Sequence, residues 1–105
     1  MIHAVFERKN GRFCGFSVQG HAGFAEAGKD VVCASVSSAV QYATILITES
    51  FREQDEESAD GDKITVRLKT PDKGQSAHVL EGLYQHLIFV SEDYPGTIQI
   101  KILEV

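Results

Sequence analysis

The feature that most constrains the fold is a nearly continuous run of apolar and small residues from Val31 to about Phe51. Within it, one set of residues recurs at the spacing of a single helical face: Val32, Val36, Ala39, Val40, Ala43, Ile47 and Ser50. Ile45 and Leu46 widen this stripe beyond one face. The segment therefore predicts a helix that is covered on more than one side, by a second helix or by another subunit.

The rest of the chain alternates between strand-like and helix-like patterns, with an Asn10-Gly11 turn typical of a β-hairpin. The predicted elements are strands at 2–8 and 12–19, helix 31–51, strand 63–69, helix 76–93 and strand 97–105, with a possible extra strand near 56–60. Strands of alternating polarity keep one face in water. We therefore predict an α+β fold, with a two-layer, largely antiparallel sheet of four to five strands and two helices on one face. At 105 residues, we expect a single domain, 1–105.

The second predicted strand carries the first cysteine. Simple alternation divides this strand into two faces, with Cys14, Phe16 and Val18 on one and Phe13, Gly15 and Ser17 on the other. Cys14 is then most simply a small buried hydrophobe.

Charge and cysteine content limit the possible partners and compartment. The net charge of −5 argues against a direct nucleic-acid partner. Charges at Glu7 and Arg8 leave no room for the apolar core of a signal peptide, and we find no apolar run near the roughly 18 residues of a membrane span. Cys14 and Cys33 do not make a disulfide framework. We therefore expect a cytoplasmic protein without membrane contact.

The acids are concentrated in one segment. Residues 53–62 contain six acids and no base. A solvated loop is the simplest interpretation. The alternative is a surface that attracts a basic partner or substrate by long-range electrostatics.

Cys33 is the main candidate for chemistry. With Asp30 as the N-cap, Cys33 is the third residue of the predicted helix, where backbone N–H groups have no intrahelical partner. The positive end of the helix dipole favours a thiolate there, and the thiolate is the nucleophilic form. We also expect the free N–H groups to hold a developing oxyanion. The alternative is an inert, packed thiol.

His21 is the candidate partner of this thiol. It precedes Cys33 by 12 residues, across a loop with glycines at positions 20, 23 and 28. An imidazole can take a proton from the thiol and return it to a leaving group. Asp30 would cap the helix, orient His21, or do both, and this assignment stays open.

Four further residues are candidates for substrate binding. Gly20, Ala22 and Gly23 flank His21 in a loop with the freedom to close over a peptide. Ser37 follows Cys33 by one helical turn on the same face. Backbone freedom and close helix packing are the simpler roles for these residues. One cysteine and one histidine without a second close pair do not make a metal site, and we expect no metal or cofactor.

These residues carry a resemblance to a known family. The blocks Gly20-His21-Ala22 and Gly28-Lys29-Asp30-Val31-Val32-Cys33-Ala34, followed by Val36-Ser37, resemble the ribosomal-processing cysteine protease family. Leu80-Glu81-Gly82-Leu83 and Glu92-Asp93-Tyr94-Pro95 also resemble it. The resemblance covers most of the chain, and the block from His21 to Cys33 is its most specific part.

The resemblance implies a bacterial cysteine endopeptidase that removes the N-terminal extension of large-subunit ribosomal protein twenty-seven. It implies Cys33 as nucleophile, His21 as its partner and a homodimer formed through helices. It also implies a substrate with aromatic residues before the cleavage site and basic residues after it. Two alternatives remain, namely a non-catalytic dimeric binding or assembly factor for a basic ribosomal protein, and a thiol-based redox sensor.

Overall fold

The computed structural model describes residues 1–26 and 30–105. The elements in chain order are β1 (Ile2–Lys9), β2 (Arg12–Gln19), α1 (Val31–Ile45), a π-helical turn (Leu46–Ser50), β3 (Asp55–Asp60), β4 (Lys63–Leu68), α2 (Ser76–Asp93) and β5 (Ile98–Glu104). Gly28 and Lys29, which the sequence places in the loop before α1, lie outside the described residues.

The strands form one five-stranded sheet in the order β3-β4-β2-β1-β5. All neighbouring strands are antiparallel except β1 and β5, which are parallel and pair Ile2 with Ile98 and Ala4 with Ile100. The prediction of an α+β fold with a largely antiparallel sheet and two helices is confirmed. The parallel pair is not visible in the sequence, because an alternating pattern reads the same in both chain directions.

The predicted faces of β2 are wrong at its start. A β-bulge interrupts the register, so that Glu7 pairs with Gly15 and Arg8 with Phe13, and Cys14 has no partner opposite it. The extra residue moves Phe13 to the core side of the sheet. An aromatic cluster results, in which the ring centroid of Phe6 lies 5.5 Å from that of Phe13, 5.8 Å from that of Phe16 and 5.4 Å from that of Tyr84.

Cys14 is only half-buried as a consequence of the bulge. Its thiol donates to the backbone carbonyl of Glu7 at 3.5 Å, and burial raises the pKa of this thiol. Cys14 is therefore less buried than the small buried hydrophobe that the sequence predicts, and its raised pKa disfavours the reactive thiolate form.

Helix α1 and the π-helical turn bury one continuous stripe in the hydrophobic core: Val32, Val36, Val40, Ala43 and Ile47. The sequence predicts no apolar run as long as a membrane span, and this prediction is wrong. The 20 residues Val31–Ser50 are long and apolar enough to cross a membrane, with a mean hydropathy of 1.6. The core helix of a globular fold has the same composition, and the buried stripe is what such a helix requires. The opposite side leaves Tyr42 and Ile45 exposed.

The acidic segment is mostly strand rather than loop. Residues 55–60 form β3, an edge strand that pairs only with β4 through a two-residue turn at Gly61 and Asp62. Glu53, just before the strand, accepts hydrogen bonds from the backbone N–H groups of Gln75 and Ser76 and so caps α2. Acidic side chains on an edge strand also oppose pairing with another sheet.

Candidate active site

The loop that carries His21 leaves β2 through a residue that must be glycine. Gly20 has φ +97°, and a Cβ at this position would lie 2.5 Å from the backbone oxygen of Met1. Further along, the ring of Phe24 packs edge-on against Tyr94 at the end of α2, with ring centroids 5.0 Å apart. The described part of the loop is therefore anchored at both ends.

Asp30 connects this loop to α1. One carboxylate oxygen accepts from the N–H groups of Val32 and Cys33, both at 3.0 Å. The other accepts from the N–H groups of Phe24 at 3.0 Å and Ala25 at 3.4 Å. The hydrogen bond from Cys33 is the main cause of a lowered Asp30 pKa, and the other three bonds add to it. Asp30 is thus an N-cap, as its position in the sequence predicts, and also a tie between loop and helix.

This arrangement corrects part of the predicted oxyanion site, which comprised the N–H groups of the first three helical residues, Val31, Val32 and Cys33. The N–H groups of Val32 and Cys33 already donate to Asp30, so they are not free to bind a developing oxyanion. Both oxygens of Asp30 are also occupied by backbone donors. Its carboxylate is therefore committed to holding the backbone, rather than to a hydrogen bond with His21.

The thiol of Cys33 has a donor that the sequence did not indicate. The backbone N–H of Ala22 points at Sγ with an N···S distance of 3.3 Å. A donor in this position stabilises negative charge on the sulfur. Cys33 is half-buried at the first turn of α1, and Ala22 is buried. No sequence pattern predicts this contact, because it depends on how the loop folds back over the helix.

Cys33 and His21 line the same cleft, which has a volume of about 290 Å³. Helix α1 contributes Cys33, Ser37 and Gln41 to its lining, at successive turns, and the β3–β4 hairpin contributes Asp62 and Ile64. The remaining lining residues are Ile2, Val18, Gly20, Val36 and Val40. The cleft thus places a largely apolar lining beside the Cys33 thiol and the His21 imidazole, as a small-molecule or peptide site requires.

The four predicted substrate-binding residues separate into two groups. Gly20 and Ser37 line the cleft. Ala22 presents its N–H to the sulfur with its side chain in the core. Gly23 is exposed, with φ +68°, and no atom of the described residues lies within 4 Å of a Cβ at this position. Sequence reasoning did not select Gln41, Asp62 or Ile64 as cleft residues. Gln41 continues the i, i+4 series of Cys33 and Ser37, which was an available signal.

Comparisons with known proteins agree with this geometry. A family model described as cysteine protease Prp matches residues 1–99. The chain is 29% identical over 107 residues to the ribosomal processing cysteine protease Prp of Bacillus subtilis (strain 168). The aligned region covers 95% of this chain and 96% of that protein.

Solved structures show the same fold. One is the ribosomal processing protease Prp from S. aureus, in complex with a covalently linked product peptide. Its TM-score is 0.92 and its sequence identity is 22%, and the match covers 98% of this chain and 100% of that chain. SMU.848 from Streptococcus mutans has a TM-score of 0.78, at 23% identity and over 100% of this chain and 96% of that one. The cleft with its helix-start cysteine, together with a match over residues 1–99, shows that the chain belongs to the Prp family of cysteine proteases.

Proposed function

We propose that this protein removes the N-terminal extension of the precursor of large-subunit ribosomal protein twenty-seven in the cytoplasm, with Cys33 as the nucleophile. Family membership supports proteolysis at a cysteine. The B. subtilis relative is named for ribosomal processing, and one S. aureus structure holds a substrate peptide. The observation that carries the residue assignment is the N–H of Ala22, directed at the Cys33 sulfur in the cleft that His21 also lines.

The chemistry follows from these positions. The Cys33 thiolate attacks the scissile carbonyl carbon, and the carbonyl π electrons move to oxygen to give a tetrahedral oxyanion. Collapse of this intermediate breaks the C–N bond, and protonated His21 gives its proton to the leaving amine. Water then attacks the thioester while His21 accepts its proton, and collapse of the second tetrahedral intermediate breaks the C–S bond and expels the Cys33 thiolate. The acid product loses its proton to solvent, and the thiolate and protonated His21 are restored.

The decisive experiment is mass spectrometry of the extended ribosomal protein after incubation with the wild-type protein and three variants. We expect the wild type to release the extension and Cys33→Ala to release none. Cys33→Ser should be close to inactive, because a hydroxyl is a far weaker nucleophile than a thiolate. His21→Ala should be slower by at least about 100-fold, the usual contribution of a general acid–base group. Cleavage by Cys33→Ala at the wild-type rate would exclude the assignment.

We also propose that the active form is a homodimer joined through the helices. A groove of about 880 Å³ lies between α1 and α2 on the side away from the sheet. Its lining is largely apolar and small, and Tyr42 in it is 66% exposed. An exposed apolar groove of this kind is typical of a subunit interface. A second copy of the chain would cover the side of α1 that the sheet leaves open.

A further inference from the structure

The six acids of residues 53–62 have different environments, although they are adjacent in sequence. Glu53 caps α2. Asp55 and Glu57 are neighbours on β3. Burial is the main cause of a raised Glu57 pKa, and the charge of Asp55 is the second cause. Of the six, only Asp62 lines the cleft that contains Cys33. The structure therefore separates one carboxylate from the acidic surface as a whole.

A tight turn fixes the position of Asp62. Asp60 pairs with Lys63 across the β3–β4 hairpin, which leaves Gly61 and Asp62 as the two turn residues. Gly61 has φ +62°, as the first position of a two-residue hairpin turn requires. The hairpin thus holds the backbone of Asp62 at a fixed place beside the cleft, and Asp62 is an exposed residue of its lining.

The Asp62 carboxylate has no partner among the described residues. It accepts no hydrogen bond and forms no ion pair in residues 1–26 and 30–105. Among the described residues, the cleft lining contains no Lys or Arg, and its other members are apolar or uncharged apart from Cys33 and His21. A carboxylate at the edge of an apolar cleft favours a cationic group on the bound molecule.

We propose that Asp62 is a specificity-determining residue, which pairs with a Lys or Arg side chain of the peptide bound in the cleft. This inference rests on the proposed function, because it takes the cleft as the site of the scissile peptide. Cys33 of α1 attacks the scissile carbonyl, the apolar residues of the lining contact neighbouring side chains, and Asp62 of the β3–β4 hairpin selects a basic residue near the cleavage site.

The test measures peptide binding to Cys33→Ala protein, so that it does not depend on cleavage. The probes are peptides spanning the junction between the extension and the mature ribosomal protein, each fluorescently labelled. One peptide keeps its basic residues, and in the others each Lys or Arg is replaced in turn by Gln. We expect replacement of one particular basic residue to weaken binding by about two- to five-fold, the range for a partly exposed ion pair.

Asp62→Asn in the same background should weaken binding of the basic peptide by a similar factor and leave binding of the matching Gln peptide unchanged. Asp60→Asn is the matched control, since it removes an equal charge from the same hairpin at a residue outside the cleft. Asp62→Lys should reverse the preference, with tighter binding when Glu replaces the selected basic residue. Raising the salt concentration should reduce the discrimination.

The outcomes separate the two proposals. If Asp62→Asn and Asp60→Asn reduce the affinity for the basic peptide equally, the peptide is attracted by the acidic surface as a whole, and the proposed role of Asp62 is wrong. The role of Asp62 is also wrong if Asp62→Asn reduces the affinity for the basic peptide and for the matching Gln peptide equally. If charge discrimination at Asp62 is present and the wild-type protein fails to cleave the precursor, the proposed function is wrong while the specificity of the cleft stands.

Discussion

At the scale of single residues, Asp30 shows how one side chain holds two segments of a candidate site together. Its two oxygens accept four backbone hydrogen bonds, two from the start of α1 and two from the loop that follows His21. The helix bonds are what an N-cap makes. The loop bonds keep the His21 segment close to Cys33, so Asp30 acts as a positioning residue for both.

The lowered pKa of Asp30 predicts a specific pH dependence. Because the folded-state pKa lies below the unfolded value, ionised Asp30 stabilises the fold at neutral pH. This stability is lost as the pH falls through the folded pKa. Asp30→Asn keeps a capping oxygen but replaces the second acceptor with an amide that cannot bind the loop N–H groups. We expect its melting temperature to be lower than that of the wild type at pH 7, with the difference shrinking at acid pH.

The check is thermal unfolding followed by circular dichroism from pH 7 to about pH 2. Asp62→Asn serves as the control, because Asp62 makes no hydrogen bond in the described residues and should show little difference at any pH. A difference between wild type and Asp30→Asn that stays constant across this range would contradict the carboxylate argument.

At the scale of elements, the start of α2 is capped by a residue that lies more than twenty positions earlier in the chain. Glu53 reaches from the end of the α1 segment to the N–H groups of Gln75 and Ser76. Gly74, directly before them, has φ +76°, and a Cβ there would lie 2.1 Å from the Glu53 carboxylate. The cap therefore needs both a glutamate and a glycine that are far apart in the chain.

Gly74→Ala should therefore destabilise the protein more than Gly96→Ala. Gly96 has a similar φ of +80°, but nothing lies within 4 Å of a Cβ at that position. Gly96→Ala should lower the free energy of unfolding by about 1–2 kcal/mol for the left-handed backbone alone. Gly74→Ala should add the loss of the cap, about 1 kcal/mol more. Urea denaturation measures both values.

The extra cost should disappear in a Glu53→Ala background, where Gly74→Ala and Gly96→Ala should become equivalent. If the difference between the two glycines persists without Glu53, the capping explanation is wrong.

At the scale of the whole molecule, the two faces of the helical layer have different partners. One face of α1 is buried in the core through Val32, Val36 and Val40, while another lines the open groove with α2. The sequence predicted that the broad apolar surface needs cover on more than one side. Within the described chain, the sheet and α2 cover only part of it, which is the basis of the proposed homodimer.

Tyr42→Arg tests this interface. A charged side chain in the apolar groove between α1 and α2 should oppose association, since burying an unpaired charge is costly. We expect light scattering after size-exclusion chromatography to give a dimer for the wild type and a monomer for Tyr42→Arg. Leu103→Arg is the control, because Leu103 is 53% exposed on β5 and lies outside the groove. A dimer that survives Tyr42→Arg would contradict the proposed interface.

The sequence by itself determined the elements and one contact of the site. The spacing of Val32, Val36 and Val40 predicted α1, Asn10-Gly11 predicted the first hairpin, and the position of Asp30 predicted the N-cap. These features are local, because propensity, turn chemistry and capping act over a few neighbouring residues.

Only the tertiary structure decided which distant residues meet. The β-bulge at Cys14 brought Phe13 into the core, the parallel pairing joined β1 to β5, and the Ala22 N–H came to lie against the Cys33 sulfur. The same folding placed Asp62 in the cleft and left its acidic neighbours outside it. Such contacts depend on strand register and on the return path of a loop. A sequence pattern specifies which face a residue prefers, but not which distant residue it will meet there.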